Sequence, residues 1–299
     1  MYCEYFGFAK RPFELTPDPA FLYLGEAHRE GLATLVYGVQ SRKGFVLITG
    51  EVGTGKTTLI HALLGQLDST AACAFIFNPR LEPLEFFHVL FNDLGIETPC
   101  RTKSEYLLEL NSFLITRLEK NEPTLLIIDE AQNLSVEMLE EIRLLSNLET
   151  PTSKLIQIML VGQPELRDLL ARPELRQLRQ RIALRHQLRP FDEREICDYV
   201  GERLARAGYS GRELFKPAAL KDLYNVTGGI PRLVNSVCDL ALLLAYSRQK
   251  TVLDAALIRE AAADLELDLD ENGPEGEAEV ATAGDGKVKG RRSWWRFFR

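Results

Sequence analysis

The stretch Gly50-Glu51-Val52-Gly53-Thr54-Gly55-Lys56-Thr57 constrains this chain more than any other, because it fits G-x-x-x-x-G-K-[ST] throughout. It follows Phe45-Val46-Leu47-Ile48, an apolar run too short for a helix and suited to a buried strand. It leads into Thr58-to-Leu64, where Leu59, Ile60, Leu63 and Leu64 mark one helical face. A glycine-rich turn ahead of an ordinary helix is the bland alternative. Strand, turn and helix together favour a phosphate-binding loop made of Gly50 through Thr57, with Thr58 beside it. The glycines let successive N–H groups converge on a phosphate at the positive end of the helix dipole. Lys56 is expected to neutralise the β- and γ-phosphates, and the Thr57 hydroxyl to hold Mg²⁺.

A chain of 299 residues leaves room for about two compact units at ~100–200 residues each. No window approaches the ~18 apolar residues of a spanning helix. Met1-Tyr2-Cys3-Glu4-Tyr5 lacks the basic-then-apolar start of a secretory signal, so a cytoplasmic protein is expected. The cysteines form no C-x-x-C pair and the histidines no H-E-x-x-H spacing, so reduced thiols and no zinc are expected. A net charge of −7 argues against nucleic acid as the main partner.

Along the chain, Tyr5, Phe6, Phe8, Phe13, Phe21 and Tyr23 lie among Pro12, Pro17 and Pro19. This arm, residues 1–25, is expected to wrap the nucleotide domain as irregular structure, with a partner-binding arm as the alternative. Leu32, Leu35, Val36 and Val39 predict a helix over 26–40. Strands are expected at Cys73–Phe77, Thr124–Ile128, Leu155–Val161 and around Ile182–Leu188. Helices are expected over 84–94, over 102–119 from a capping box at Thr102 and Glu105, after a Ser135 cap, and over roughly 165–180. Strands alternating with helices imply parallel βαβ crossovers and an α/β sandwich. From Pro190 the pattern is helical only; beyond Leu265 it turns acidic and Gly/Ala-rich, as a disordered linker does.

Asp129-Glu130 ends an apolar strand one α/β unit after the phosphate loop. Asp129 can bind Mg²⁺ through water, and Glu130 can take a proton from an attacking water. Gln163 ends the next strand, either to orient that water or only to turn the chain before Pro164. Arg172, Arg176, Arg179, Arg181, Arg185 and Arg189 cluster around the arginine-rich helix. They are open to three interpretations: a solvated face, a nucleic-acid patch, or an arginine offered to a neighbouring subunit's ATP. Arg232, on a first helical turn behind Gly228-Gly229, either reaches the γ-phosphate or lies on the surface.

This constellation resembles an AAA+ ATPase over roughly residues 26–265. The arm residues Tyr5-Phe6-Gly7-Phe8, Pro12-Phe13 and Pro17-Asp18-Pro19 resemble, more narrowly, the GspA/ExeA/MshM group. So do His28-Arg29-Glu30, Asp129-Glu130-Ala131-Gln132-Asn133-Leu134 and Gly162-Gln163-Pro164-Glu165-Leu166. That group comprises bacterial ATPases tied to type II secretion, type IV pili and exosortase-linked envelope assembly. The resemblance implies a P-loop NTPase three-layer α/β sandwich with a parallel five-stranded sheet over 26–189, then an all-helical AAA+ lid over 190–265. It implies ATP and Mg²⁺ as ligands and a homo-oligomer, as a ring. Arg181, with Arg179 second, would be the arginine given to the neighbour. Many AAA+ proteins carry Asn or Thr where Gln163 stands. The larger secretion members continue into a membrane span and a peptidoglycan-binding domain; ending at Arg299, this chain is not expected to act on the cell wall directly.

The expected activity is Mg²⁺-dependent ATP hydrolysis that powers a secretion, pilus or polysaccharide-export machine. A DNA-bound switch ATPase of the transposition or replication-initiation type is the rival, and a nucleotide-dependent scaffold a third option. Behind an acidic linker at 266–286, the tail 287–299 sets Trp294, Trp295, Phe297 and Phe298 among lysines and arginines. It is expected either to rest on an anionic membrane surface or to be a soluble, disordered end.

Overall fold

The computed structural model describes residues 1–16, 21–77 and 81–267. The linker from 268 on, the tail 287–299 and the Pro17-Asp18-Pro19 portion of the arm lie outside the described residues. In chain order come α1 (Tyr2–Phe6), α2 (Glu26–Gln40), β1 (Phe45–Gly50), α3 (Lys56–Leu64), β2 (Ala72–Ile76), α4 (Pro83–Leu94) and α5 (Lys103–Glu119). There follow β3 (Thr124–Ile128), α6 (Val136–Leu145), β4 (Gln157–Gly162), α7 (Glu165–Leu170), α8 (Arg176–Arg181) and β5 (Ile182–Leu188). Last come α9 (Glu193–Arg206), α10 (Pro217–Thr227), α11 (Pro231–Ser247) and α12 (Ala255–Asp264).

The strands pair in parallel in the order β2-β3-β4-β1-β5. β1, β3 and β4 are buried along their length, so they are continuous apolar runs with no polar face. Alternate side chains supply two cores. Phe45, Leu47, Leu126, Ile128 and Leu160 pack with Phe86, Leu90, Leu110 and Leu139 on one face. Val46, Ile48, Ile127 and Val161 pack with Leu32, Leu35, Leu59 and Leu63 on the other. The two predicted caps form: Thr102 Oγ1 accepts from Glu105 N–H at 3.3 Å, and Ser135 Oγ from Met138 N–H at 3.1 Å. The result is the predicted three-layer sandwich on a five-stranded parallel sheet, followed by the helices α9–α12. No helix of the described residues is long and apolar enough to cross a membrane.

Two expectations change. The arginine-rich helix is not continuous: α7 ends at Leu170, Pro173–Leu175 forms a 3-10 turn, and α8 begins at Arg176. Pro173 has no N–H to continue α7, so Arg172, which precedes the break, does not share one helix with Arg176 and Arg179. The N-terminal arm packs on the helical region rather than on the sandwich. Tyr2, Phe8, Phe13 and Phe21 share a core with Tyr199, Leu204, Phe215, Val234 and Leu257. Arg203, buried at 7 % exposure, fastens it by donating to Pro12 O at 2.5 Å and Glu14 O at 3.2 Å. The same guanidinium lies 5.0 Å above the Phe21 ring.

Candidate nucleotide site

Because β4 runs between β1 and β3, three loops leave adjacent strand ends on one edge of the sheet. They carry the phosphate loop after β1, Asp129-Glu130 after β3 and Gln163 after β4. Crevices at the carboxyl ends of parallel strands are where open α/β sheets bind ligands.

Gly53 and Gly55 have φ of +82° and +96°, backbone that a residue with a Cβ rarely adopts. No side chain caps α3 at Gly55, so the first N–H groups of that helix stay available to an anion. Lys56 is buried, and its ammonium donates to Gly50 O at 2.8 Å and Glu51 O at 3.0 Å. Burial pulls the Lys56 pKa below the ordinary lysine value, against the opposing pull of the Glu130, Asp129 and Glu51 carboxylates.

The Thr57 hydroxyl donates to the buried Asp129 carboxylate at 3.0 Å, and the other Asp129 oxygen accepts Glu130 N–H at 2.9 Å. A hydroxyl and a carboxylate in contact are hard oxygen donors. They fit Mg²⁺, which uses one or two carboxylates and takes its other ligands from phosphate and water. Among the described residues no group of three or more His, Cys, Asp or Glu gathers for another metal.

Glu130 has φ +51°, a left-handed conformation uncommon away from glycine. Its carboxylate is held by two amides. Gln132 Nε2 at 2.5 Å and Gln163 Nε2 at 3.0 Å both donate to Glu130 Oε2, while Gln132 Oε1 accepts Gln163 N–H at 3.1 Å. Oε1 of Glu130 takes no bond among the described residues. Gln163 therefore meets Glu130. Gln132 was not among the expected site residues, although it lies in the Asp129-to-Leu134 segment that carries the family resemblance.

The helical region reaches the loop at the start of α11. Arg232 N–H donates to Gly53 O at 3.3 Å, and a Cβ on Gly53 would lie 2.7 Å from Arg232 Cβ. The exposed Arg232 side chain lines a cavity of about 810 Å³ together with Gly55, Lys56, Thr57 and Glu130. That cavity continues past Tyr23, His28, Phe191 and Tyr199 to Arg203; His28 lies in a segment that carries the family resemblance, but none of these was expected at the site. Neither Arg179 nor Arg181 lines it. Arg181 donates to Ser146 Oγ at 2.5 Å and Arg143 O at 3.3 Å, a cation at the C-terminal end of α6. Arg179 is exposed and reaches Ala171 O at 3.4 Å.

Residues 39–170 match the AAA domain family. Over all 299 residues the chain is 40% identical to general secretion pathway protein A of Aeromonas hydrophila, and it spans 54% of that protein's length. Among solved structures, the Aeropyrum pernix ORC2 protein is similar in fold, with a TM-score of 0.64 and 19% identity, covering 85% of this chain and 71% of that one. The Thermotoga maritima RuvB Holliday junction branch migration motor has a TM-score of 0.54 and 17% identity, over 87% of this chain and 76% of that one. Sheet order, phosphate loop and paired carboxylates are those of an AAA-type P-loop domain. Within that class the similarity running from end to end of the chain is to a secretion protein, general secretion pathway protein A.

Proposed function

We propose that this chain hydrolyses Mg²⁺-ATP as an oligomer, in a ring, to assemble or remodel a bacterial envelope machine of the secretion, pilus or polysaccharide-export type. The observation that carries the chemistry is the 3.0 Å Thr57–Asp129 hydrogen bond with Glu130 adjoining it. The N–H groups of the loop bind the phosphates and Lys56 neutralises them. Mg²⁺ held by Thr57 and Asp129 would supply positive charge to the β- and γ-phosphate oxygens. Glu130 takes the proton of the attacking water on Oε1, because Gln132 and Gln163 engage Oε2. General-base help of this kind is worth ~10²–10⁴-fold. Arg232 adds charge at the γ-phosphate from the helical side, so hydrolysis changes how that side is held.

Arg179 and Arg181 are the two candidates for the arginine given to a neighbour, and Arg179 is favoured because it is exposed, with a long 3.4 Å bond to Ala171 O, whereas Arg181 is half-buried on Ser146 and Arg143. Mixing Arg179→Ala with Glu130→Gln tests this: activity should partly return, since some interfaces then pair an intact base with an intact arginine. No recovery, with turnover per chain independent of concentration, would indicate a self-contained site.

The envelope assignment rests on similarity to general secretion pathway protein A, whose length this chain half spans. The tail 287–299 would add peripheral attachment to an anionic membrane. Full-length protein should then bind anionic vesicles in low salt and lose that binding on deletion of 287–299; equal binding by both forms would remove the tail from the account.

A further inference from the structure

His28 lies in the first turn of α2 and is 2 % exposed. Its Nε2 is 2.8 Å from the carbonyl oxygen of Thr54, inside the phosphate loop. A carbonyl only accepts, so Nε2 carries the proton and Nδ1 of the neutral ring is an acceptor. That Nδ1 is buried and has no hydrogen-bond partner among the described residues. An imidazole kept for packing alone would be better replaced by an apolar side chain, because an unpaired buried acceptor is destabilising. What distinguishes this ring is its bond to the loop.

We propose that His28 is a positioning residue that presets the phosphate loop for its ligand through the Thr54 carbonyl. The Thr54–Gly55 peptide is a planar trans unit, in which the C=O and the following N–H point in opposite directions. Drawing Thr54 O toward His28 aims Gly55 N–H the other way, and Gly55 lines the nucleotide cavity. Gly55 N–H takes no acceptor among the described residues, as a donor meant for a phosphate oxygen requires. The fit between ring and loop is close: a Cβ on Gly55 would lie 2.9 Å from His28 Nε2. From the other side the ring rests against Phe191, centroids 5.2 Å apart, at the start of the helical region. Thr54 is itself wholly buried, with its hydroxyl donating to Glu51 O at 2.8 Å, so the carbonyl has little freedom to point elsewhere.

The proposal rests on this site being the nucleotide site, and the test separates the two claims. Affinities for ATP, ADP and AMP are measured by calorimetry for wild type, His28→Leu, His28→Gln and His28→Asn. The Leu variant removes the donor; Gln carries an amide far enough out to reach Thr54 O, and Asn is too short. We expect His28→Leu and His28→Asn to lose about tenfold for ATP and ADP with AMP unchanged, and His28→Gln to recover most of the loss. If His28→Leu does not fold, the Gln and Asn pair gives the same comparison. A role in packing alone would weaken all three nucleotides alike or none, and either result overturns the proposal. Wild type that binds neither ATP nor ADP overturns the nucleotide site itself, and the proposal with it.

Discussion

Replacing Gln132 with leucine probes a part of the site to which the sequence motifs assign no role. Gln132 gives one N–H bond to the Glu130 carboxylate at 2.5 Å and accepts one from Gln163 N–H at 3.1 Å. It is also tightly placed, since a Cβ on Gly162 would lie 2.6 Å from its Oε1. Hydrogen bonds to charged groups are worth ~1.5–3 kcal/mol, and the bond from Gln163 Nε2 stays in the variant. If ~1.4–2 kcal/mol of the lost restraint is felt in the transition state, kcat falls by ~10–30-fold. That is a smaller loss than the ~10²-fold or more expected when Glu130 becomes glutamine, because the base is still there. KM for ATP should hold, as Gln132 does not line the nucleotide cavity. Steady-state phosphate release against ATP concentration gives both constants. A Gln132→Leu enzyme with wild-type or higher kcat, or with its loss confined to KM, would refute the view that the amides aim the base.

Other consequences can be checked on the same protein. Arg203→Ala removes bonds from a buried guanidinium to Pro12 O, Glu14 O and Tyr199 Oη, and should destabilise the fold by ~2–4 kcal/mol. Protease cleavage within residues 1–16 should accelerate, and an unchanged melting temperature with an intact arm would contradict this. Burial holds the His28 imidazole below its ordinary value of 6.5, with His186 adding to the lowering and Thr54 O and Glu195 opposing it. Below pH 6.5 the unfolded chain therefore binds a proton that the folded chain does not, and stability falls with acid by up to ~1.4 kcal/mol per pH unit until the folded value is reached. Relative to His28→Phe, wild type should lose stability between pH 7.5 and 5.5 in denaturant titrations; a pH-independent difference would contradict the assignment.

The sandwich was legible because its strands are buried on both faces. Thr124–Ile128 can only be an apolar run, and Thr102 and Ser135 announce helix starts through local bonds. The phosphate loop was legible for the same reason, being a local conformation spelled out by glycines. What the sequence did not disclose depends on contacts between distant segments. Their aromatic rings say that Phe8, Phe13 and Phe21 need a core but not which one, and the choice is fixed by Arg203 some 190 positions away. The Gln132–Glu130–Gln163 clamp exists only because β4 lies between β1 and β3, and strand order is not a local property. His28 stands in a segment that carries the family resemblance, but its role shows only once the loop after β1 folds against it. The arginine-rich segment misled through spacing alone, where Pro173 should have outweighed it.

The central claim is that one strand edge holds both a phosphate cradle and a general base, with separable roles. ATP affinity and single-turnover hydrolysis of wild type, Lys56→Ala and Glu130→Gln, each measured with and without Mg²⁺, test it most directly. The account predicts that Lys56→Ala loses binding, because the ammonium contact to the phosphates is gone. It predicts that Glu130→Gln binds ATP as wild type does yet hydrolyses it at least ~10²-fold more slowly. A Glu130→Gln protein that turns ATP over at the wild-type rate would contradict it.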